Sequence, residues 1–194
     1  MCCIDCVILA SGYSRRMGSN KLLLPLGKST VIGSFLESFP YELFQQVILV
    51  YTDERVKAAV SHLPVTFCYN DTPGKGKSYS IRKGLTTSTA ADGIMFLVAD
   101  QPLLSRSTLA LLISVFAQDR RFIVVPEIEG KNANPVIFPC RFRNDLLSLK
   151  NDSGGKLVIA RHCNEVRSVV MHSAEEFIDI DTPQQYQQVV SLWS

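Results

Sequence analysis

The stretch Cys6–Leu24, "CVILASGYSRRMGSNKLLL", decides the fold. It begins as an unbroken apolar run, breaks into glycine, serine and two arginines, and resumes as a second apolar run behind Lys21. A run with no polar alternation belongs in a strand covered on both faces, which is the mark of a parallel sheet. Small residues directly after such a strand let the backbone approach a ligand closely, and their N–H groups can point at phosphate oxygens. Arg15, Arg16 and Lys21 bring cations to the same loop. Arginine offers a planar fork for phosphate, lysine a compact point charge. The loop therefore reads either as a polyphosphate cradle or as a solvated basic turn.

The rest of the chain repeats the pattern. Ile4–Leu9, Gln46–Tyr51 ("QVILVY"), Val65–Tyr69 and Ile94–Asp100 ("IMFLVAD") read as strands. Thr30–Phe39, Glu54–His62 and Lys77–Leu85 read as the helices between and after them. Beyond Ser105, which can cap, Leu109, Leu112, Ile113 and Phe116 make a helical stripe. "FIVVP" from Phe122 and "NPVIF" from Asn134 are expected as strands joined by a turn near Gly130, with short helices at Leu146–Leu149 and Gly154–His162. "VRSVVM" and "FIDI" are expected as late strands. A last helix starts with Thr182 as cap, Pro183 at the first position and Gln185 closing a capping box. Strands alternating with helices predict an α/β fold, a mostly parallel sheet with helices on both faces. No repeat or linker divides the 194 residues, so a single domain over 1–194 is expected.

Composition narrows the function. A net charge of +2 is too small for nucleic-acid binding by bulk electrostatics. No apolar run is long enough to span a membrane, and the N-terminus lacks a basic region and cleavage signal, so a cytoplasmic protein is expected. Its six cysteines should then be reduced thiols. Cys3 and Cys6 form C-x-x-C, but only the distant His162–Cys163 pair could complete a zinc site, and the plainer reading buries Cys6 in the first strand.

Ligands of open α/β sheets bind beyond the carboxyl ends of the strands. Asp100, followed by Gln101 and Pro102, stands at one such end, where it could hold a divalent cation brought in by phosphates. Asp179 and Asp181 in "FIDIDTP" are two apart, so a strand would point both to one face. Asp181 either completes a metal site or caps the last helix. In "YNDTPGKGKSYSIRKGL", Asn70, Gly76, Ser78 and Ser80 either read a base and ribose or form an ordinary polar loop. Asn134 faces the ligand or makes the turn before Pro135. "GYSRRMGSNK" has five residues between its glycines and no K-[ST] after the second, and "GKGKS" lacks the first glycine of a Walker loop. A G-x-G-x-x-G pattern is also missing after the first strand, which argues against a P-loop NTPase or nicotinamide dehydrogenase. No His-based catalytic grouping is legible.

"VILASGYSRRMGSNKLLLPLG", "NDTPGKGKSYSIRKGL", "MFLVADQPLL", "NPVIF", "GGKLVIARH" and "DIDTPQQY", in this order, resemble the molybdenum cofactor cytidylyltransferase family and, more broadly, its guanylyltransferase relatives. The similarity runs over nearly the whole chain. It implies a Rossmann-like nucleotidyltransferase fold and transfer of CMP from CTP to the phosphate of molybdopterin carrying molybdenum, with Mg²⁺ and release of pyrophosphate. On this resemblance Leu9, Ala10, Ser11 and Gly12 contact the nucleotide, and Arg15 and Lys21 hold phosphates. Asp100 and Asp181 hold the metal, and Asn70, Gly76, Ser78 and Ser80 help read base and ribose. The guanylyl enzymes tend to carry L-A-G-G in the first loop. Ser11 before Gly12 is closer to the L-A-A-G of the cytidylyl enzymes. Implied partners are CTP, a molybdopterin-type substrate and a molybdenum hydroxylase client. The alternatives are GTP as donor, another phosphate acceptor, or a non-catalytic carrier of the finished cofactor.

Overall fold

The computed structural model describes residues 2–12, 20–90 and 92–193. In chain order the first half forms β1 (Ile4–Ala10), β2 (Pro25–Leu26), β3 (Ser29–Thr30), α1 (Val31–Glu37), β4 (Gln46–Tyr51), α2 (Glu54–Ala59), β5 (Thr66–Tyr69), α3 (Lys77–Thr87) and β6 (Gly93–Val98). The second half forms α4 (Arg106–Gln118), β7 (Ile123–Ile128), β8 (Lys131–Asn132), β9 (Val136–Pro139), α5 (Arg143–Leu147), α6 (Gly155–Arg161), β10 (Val166–Val170) and α7 (Pro183–Leu192).

The main sheet runs β10-β7-β9-β6-β1-β4-β5, with β8 pairing on β7, and β2 with β3 forms a separate hairpin. β1 pairs in parallel with both β4 and β6, β4 with β5, and β7 with β10. β9 is antiparallel to β6 and β7. The expected mostly parallel sheet thus carries two reversed strands, β9 within it and the short β8 beside β7. The apolar runs show why β1, β4 and β6 are central: side chains on both faces are buried. On β1, Ile4, Cys6 and Ile8 join the core under α1, α4 and α7, whereas Val7 joins the core under α3, α5 and α6. Two apolar layers therefore sandwich the sheet, each with its own helices.

Three details position the site. The chain leaves β1 for β4 and β5 on one side, then returns to β6 on the other. The carboxyl ends of β1 and β6 are therefore the switch point where an α/β sheet opens a crevice. α3 lies very close to the sheet, because a Cβ on Gly84 would stand 2.3 Å from Val7 Cγ1. The "FIDI" segment is not a strand. Ala174–Phe177 is a 3-10 turn, and the backbone beyond it docks through isolated bonds, Ile180 N to Asp100 O (3.0 Å) and Gln101 Nε2 to Phe177 O (3.3 Å). With its polar groups satisfied by the turn after β6, this segment has no ladder to join, and Asp179 and Asp181 are not placed by strand alternation. β6 likewise stops at Val98, so Ala99 and Asp100 belong to the turn beyond it.

Candidate active site

Lys21 opens a three-residue 3-10 turn, Lys21–Leu23. Asn20 caps this turn by accepting from Leu22 N at 3.1 Å, and its Nδ2 donates to Asp53 Oδ2 at 3.0 Å. Asp53 in turn caps α2, and hydrogen bonding to Arg55 holds its carboxyl below the usual range. The turn is thereby fixed to the end of β4, and Lys21 is only 9% exposed. Its ammonium lies between two carboxylates that are 81 positions apart in the chain. It donates to Asp100 Oδ2 and, at 2.7 Å, to Asp181 Oδ1.

The electrostatics follow from this placement. Burial opposes the charge on Lys21, but the two carboxylates outweigh it and its pKa is raised. Asp179 was not among the residues assigned a role from sequence, yet it belongs to the same cluster. Burial first, then the charges of Asp100 and Asp181, push its pKa up to about 6. Gln101, buried beside Asp100, binds the Phe177 carbonyl and ties the late segment to the end of β6. The sequence signal for both was their position, beside Asp100 or Asp181 in a motif already singled out.

The second part of the site lies at the ends of β1 and β5. Ser11 Oγ and Ser80 Oγ are 2.6 Å apart, and Asn70 Nδ2 donates to Ser80 Oγ at 3.0 Å. Asn70 Oδ1 accepts from Thr72 N, which turns the chain toward α3. Leu9 and Ala10 end β1, and the Leu9 carbonyl accepts from Ala99 N, linking the two halves of the crevice. Among the described residues, nothing lies within 4 Å of where a Cβ on Gly12 would stand. Ser78 is fully buried, and among the described residues its Oγ has no hydrogen-bond partner.

Gly76 precedes α3 with φ +85° and ψ −179°, a conformation essentially confined to glycine. A Cβ there would meet the Asn151 carbonyl at 2.5 Å, and Ser78 N donates to that same carbonyl. The 150–153 turn therefore braces the start of α3, a contact no local pattern in the sequence announces. Asn134 lies just before β9 on the same edge of the sheet and forms a cis peptide bond with Pro135. Arg15 and Arg16, expected among the phosphate-holding cations, lie outside the described residues.

The residues present fit a hard divalent cation. One oxygen each from Asp100 and Asp181 already converges on a single positive charge, and among the described residues buried Asp100 Oδ1 accepts no hydrogen bond. Carboxylate oxygens are the ligands Mg²⁺ and Mn²⁺ prefer. No group of three or more His, Cys, Asp or Glu side chains arranged to hold a metal is found among the described residues. A full coordination shell on the Asp100–Asp181 pair would need oxygens from elsewhere, such as phosphates or water.

The chain is similar to several known proteins. A profile of the MobA-like NTP transferase domain matches residues 6–166. The purine catabolism protein PucB of Bacillus subtilis (strain 168) is 32% identical, covering 94% of both chains. A probable molybdenum cofactor guanylyltransferase of Natranaerobius thermophilus is 30% identical over 66% of this chain and 62% of its own. The molybdenum cofactor cytidylyltransferase of Escherichia coli (strain K12) is 23% identical, covering 96% of this chain and 95% of its own. Among solved structures, Rv0371c of Mycobacterium tuberculosis H37Rv in complex with manganese superposes with a TM-score of 0.82 at 25% identity, covering 98% of each chain.

Proposed function

The chain belongs to the MobA-like NTP transferase domain family, and we propose that it moves CMP from CTP to the terminal phosphate of molybdopterin carrying molybdenum, releasing pyrophosphate. A phosphate oxygen of the acceptor attacks the α-phosphorus of CTP. The bond from that phosphorus to the bridging oxygen breaks, and its electron pair leaves with pyrophosphate. The attacking oxygen is already an anion, so the reaction needs no general base, in keeping with a site built without histidine. What must be overcome is repulsion between anions and the charge that builds at the α-phosphate.

Each group has a task in that reading. Lys21 and Arg15 supply cations to the triphosphate. Asp100 and Asp181 hold Mg²⁺, which would supply Lewis-acid stabilisation of the phosphoryl oxygens. Leu9, Ala10, Ser11 and Gly12 bring backbone groups close to the nucleotide, and Asn70, Gly76, Ser78 and Ser80 present polar groups to base and ribose. The observation that carries the reading is the meeting of Lys21 with Asp100 and Asp181 at the switch point of the sheet, next to the Ser11–Ser80–Asn70 network. The manganese-bound mycobacterial structure supports a divalent metal in this fold.

CTP as donor rests on Ser11 in place of a second loop glycine, and the E. coli relative is named for cytidylyl transfer. The Natranaerobius relative, named for guanylyl transfer, supports GTP as the second reading. A molybdenum hydroxylase is the proposed client, and the name of the B. subtilis relative suggests a setting in purine catabolism. We place the protein in the cytoplasm as one nucleotidyltransferase domain over residues 1–194, acting without nucleic acid or membrane. No helix among the described residues is long and apolar enough to cross a bilayer.

The test is to incubate the purified protein with each NTP, Mg²⁺ and molybdopterin and to measure pyrophosphate. CTP should give the fastest release. Equal or faster release with GTP would move the assignment to guanylyl transfer. Nucleotide-dependent release that needs a sugar or alcohol phosphate instead of molybdopterin would change the acceptor. No release under any condition would favour a carrier.

A further inference from the structure

We propose that Lys21 is the resident cation of the divalent-metal site and keeps it closed until nucleotide arrives, so that metal and nucleotide enter as a single event. This rests on the reading of Asp100 and Asp181 as the metal's ligands. Both carboxylates spend an oxygen on the same ammonium, Asp181 at 2.7 Å. A metal ion held by the two oxygens that now hold the ammonium would take its place, because bonds from carboxylate oxygen to such a cation are only about 2.1 Å long. Two cations cannot share it, so a metal held by both of these oxygens requires the ammonium to leave.

Two observations show that leaving is costly in the absence of nucleotide. Lys21 is buried, so pulling its ammonium off both carboxylates without a new anion would strip a buried charge of two ion pairs. Its backbone is pinned by the Asn20 cap and the Asn20–Asp53 bond, which limits how far the side chain can retreat. The metal on its own gains little in exchange, since no cluster of three or more protein ligands is available among the described residues. A triphosphate changes both sides of the balance. It offers the ammonium an alternative anion, and its oxygens complete the metal's shell. The lysine therefore serves twice, first as the placeholder that holds two carboxylates together and then as a phosphate contact.

The inference is tested without turnover, by measuring Mn²⁺ binding to the purified full chain by electron paramagnetic resonance in the absence of nucleotide. Wild type, Lys21→Met, Asp100→Asn and the Lys21→Met/Asp100→Asn double variant are compared. Lys57→Met controls for simple loss of a positive charge, since Lys57 ion-pairs with Glu54 on α2 and not with this cluster. Lys21→Met should bind Mn²⁺ at least tenfold more tightly than wild type. Lys57→Met should shift affinity less than twofold, and the double variant should lose the gain. Equal Mn²⁺ affinity in wild type and Lys21→Met, with Asp100→Asn weaker than both, would keep the metal site and overturn the gate. A Lys21→Met gain that survives Asp100→Asn would overturn the metal reading and the gate with it. Thermal unfolding of each variant shows whether it is folded. If Lys21→Met proves unfolded, Lys21→Gln provides the same comparison with a shorter neutral side chain.

Discussion

Replacing Gly76 by alanine isolates the brace between the 150–153 turn and the start of α3. Two costs are readable. With φ +85° and ψ −179°, any residue with a Cβ is strained, by about 1–3 kcal/mol. The added methyl would also sit 2.5 Å from the Asn151 carbonyl carbon and oxygen and 2.6 Å from Asp152 Oδ1. Two of these three atoms are backbone, so the turn must shift as a unit, which is an overpacking cost of about 1–3 kcal/mol. The lower unfolded-state entropy of alanine returns about 0.5–1 kcal/mol. The net loss is about 3 kcal/mol, or a melting temperature lower by about 9 °C for a chain of this length. Gly130→Ala separates the two costs. Gly130 also has positive φ (+75°), but nothing lies within 4 Å of its would-be Cβ, so only the backbone cost of about 1–2 kcal/mol remains. Gly12→Ala meets neither cost among the described residues and should melt within about 1 °C of wild type, while on the proposed reading of this loop it should bind CTP more weakly. Calorimetric melting of the three variants, with CTP binding by titration, decides the matter. A Gly76→Ala protein that melts within 2 °C of wild type, or no lower than Gly130→Ala, would refute the reasoning.

Further outcomes are expected. Lys21→Ala should slow single-turnover CMP transfer by about a hundredfold at saturating CTP and Mg²⁺, and Lys21→Arg should recover only part of this; near-wild-type rates would remove Lys21 from catalysis. Asp100→Asn should lower the maximal rate and raise the Mg²⁺ requirement while leaving nucleotide affinity largely intact, and an unchanged Mg²⁺ titration would contradict its role. Asp179 has a folded pKa of about 6 against an ordinary 3.8, so the folded state holds its proton more tightly and stability falls as pH rises from about 4 to 6. Above pH 6 the unfavourable charge costs about 2 kcal/mol once partial exposure is allowed for. Asp179→Asn should therefore raise the melting temperature of metal-free protein at pH 7.5 and lose that advantage near pH 4; a gain independent of pH would show that some other contact is responsible.

The elements that fix the sheet were legible because their physics is local. "VILA", "QVILVY" and "IMFLV" are apolar on both faces, which only a strand buried between two layers tolerates. Ser105 and Thr182 cap the helices their sequences announce. What stayed hidden is non-local. The turn near Gly130 announces that "NPVIF" runs back along "FIVVP", but nothing in it says that it inserts between β6 and β7, since strand neighbours are chosen by the whole topology. "FIDI" carries a strand's alternation, yet its backbone partners are the turn after β6, and that decided its conformation. The strand-end acids and the lysine could be picked out singly. That Lys21 would lie between Asp100 and Asp181 could not, because it depends on how three distant segments dock.

That docking has a kinetic consequence. Lys21 and Asp181 are separated by 160 positions, so the contact between them closes one of the longest loops in the chain. Contacts of such separation carry a large closure entropy and form late. A chain still emerging from the ribosome can assemble β1, β4, β5 and β6 in register and still lack one wall of the crevice. Only the arrival of the segment after β10 supplies it. On the proposed reading of Lys21 and Asp181, the site for a nucleoside triphosphate is therefore completed last, once the rest of the sheet is in place, and a chain clipped before this segment lacks one of its two carboxylates.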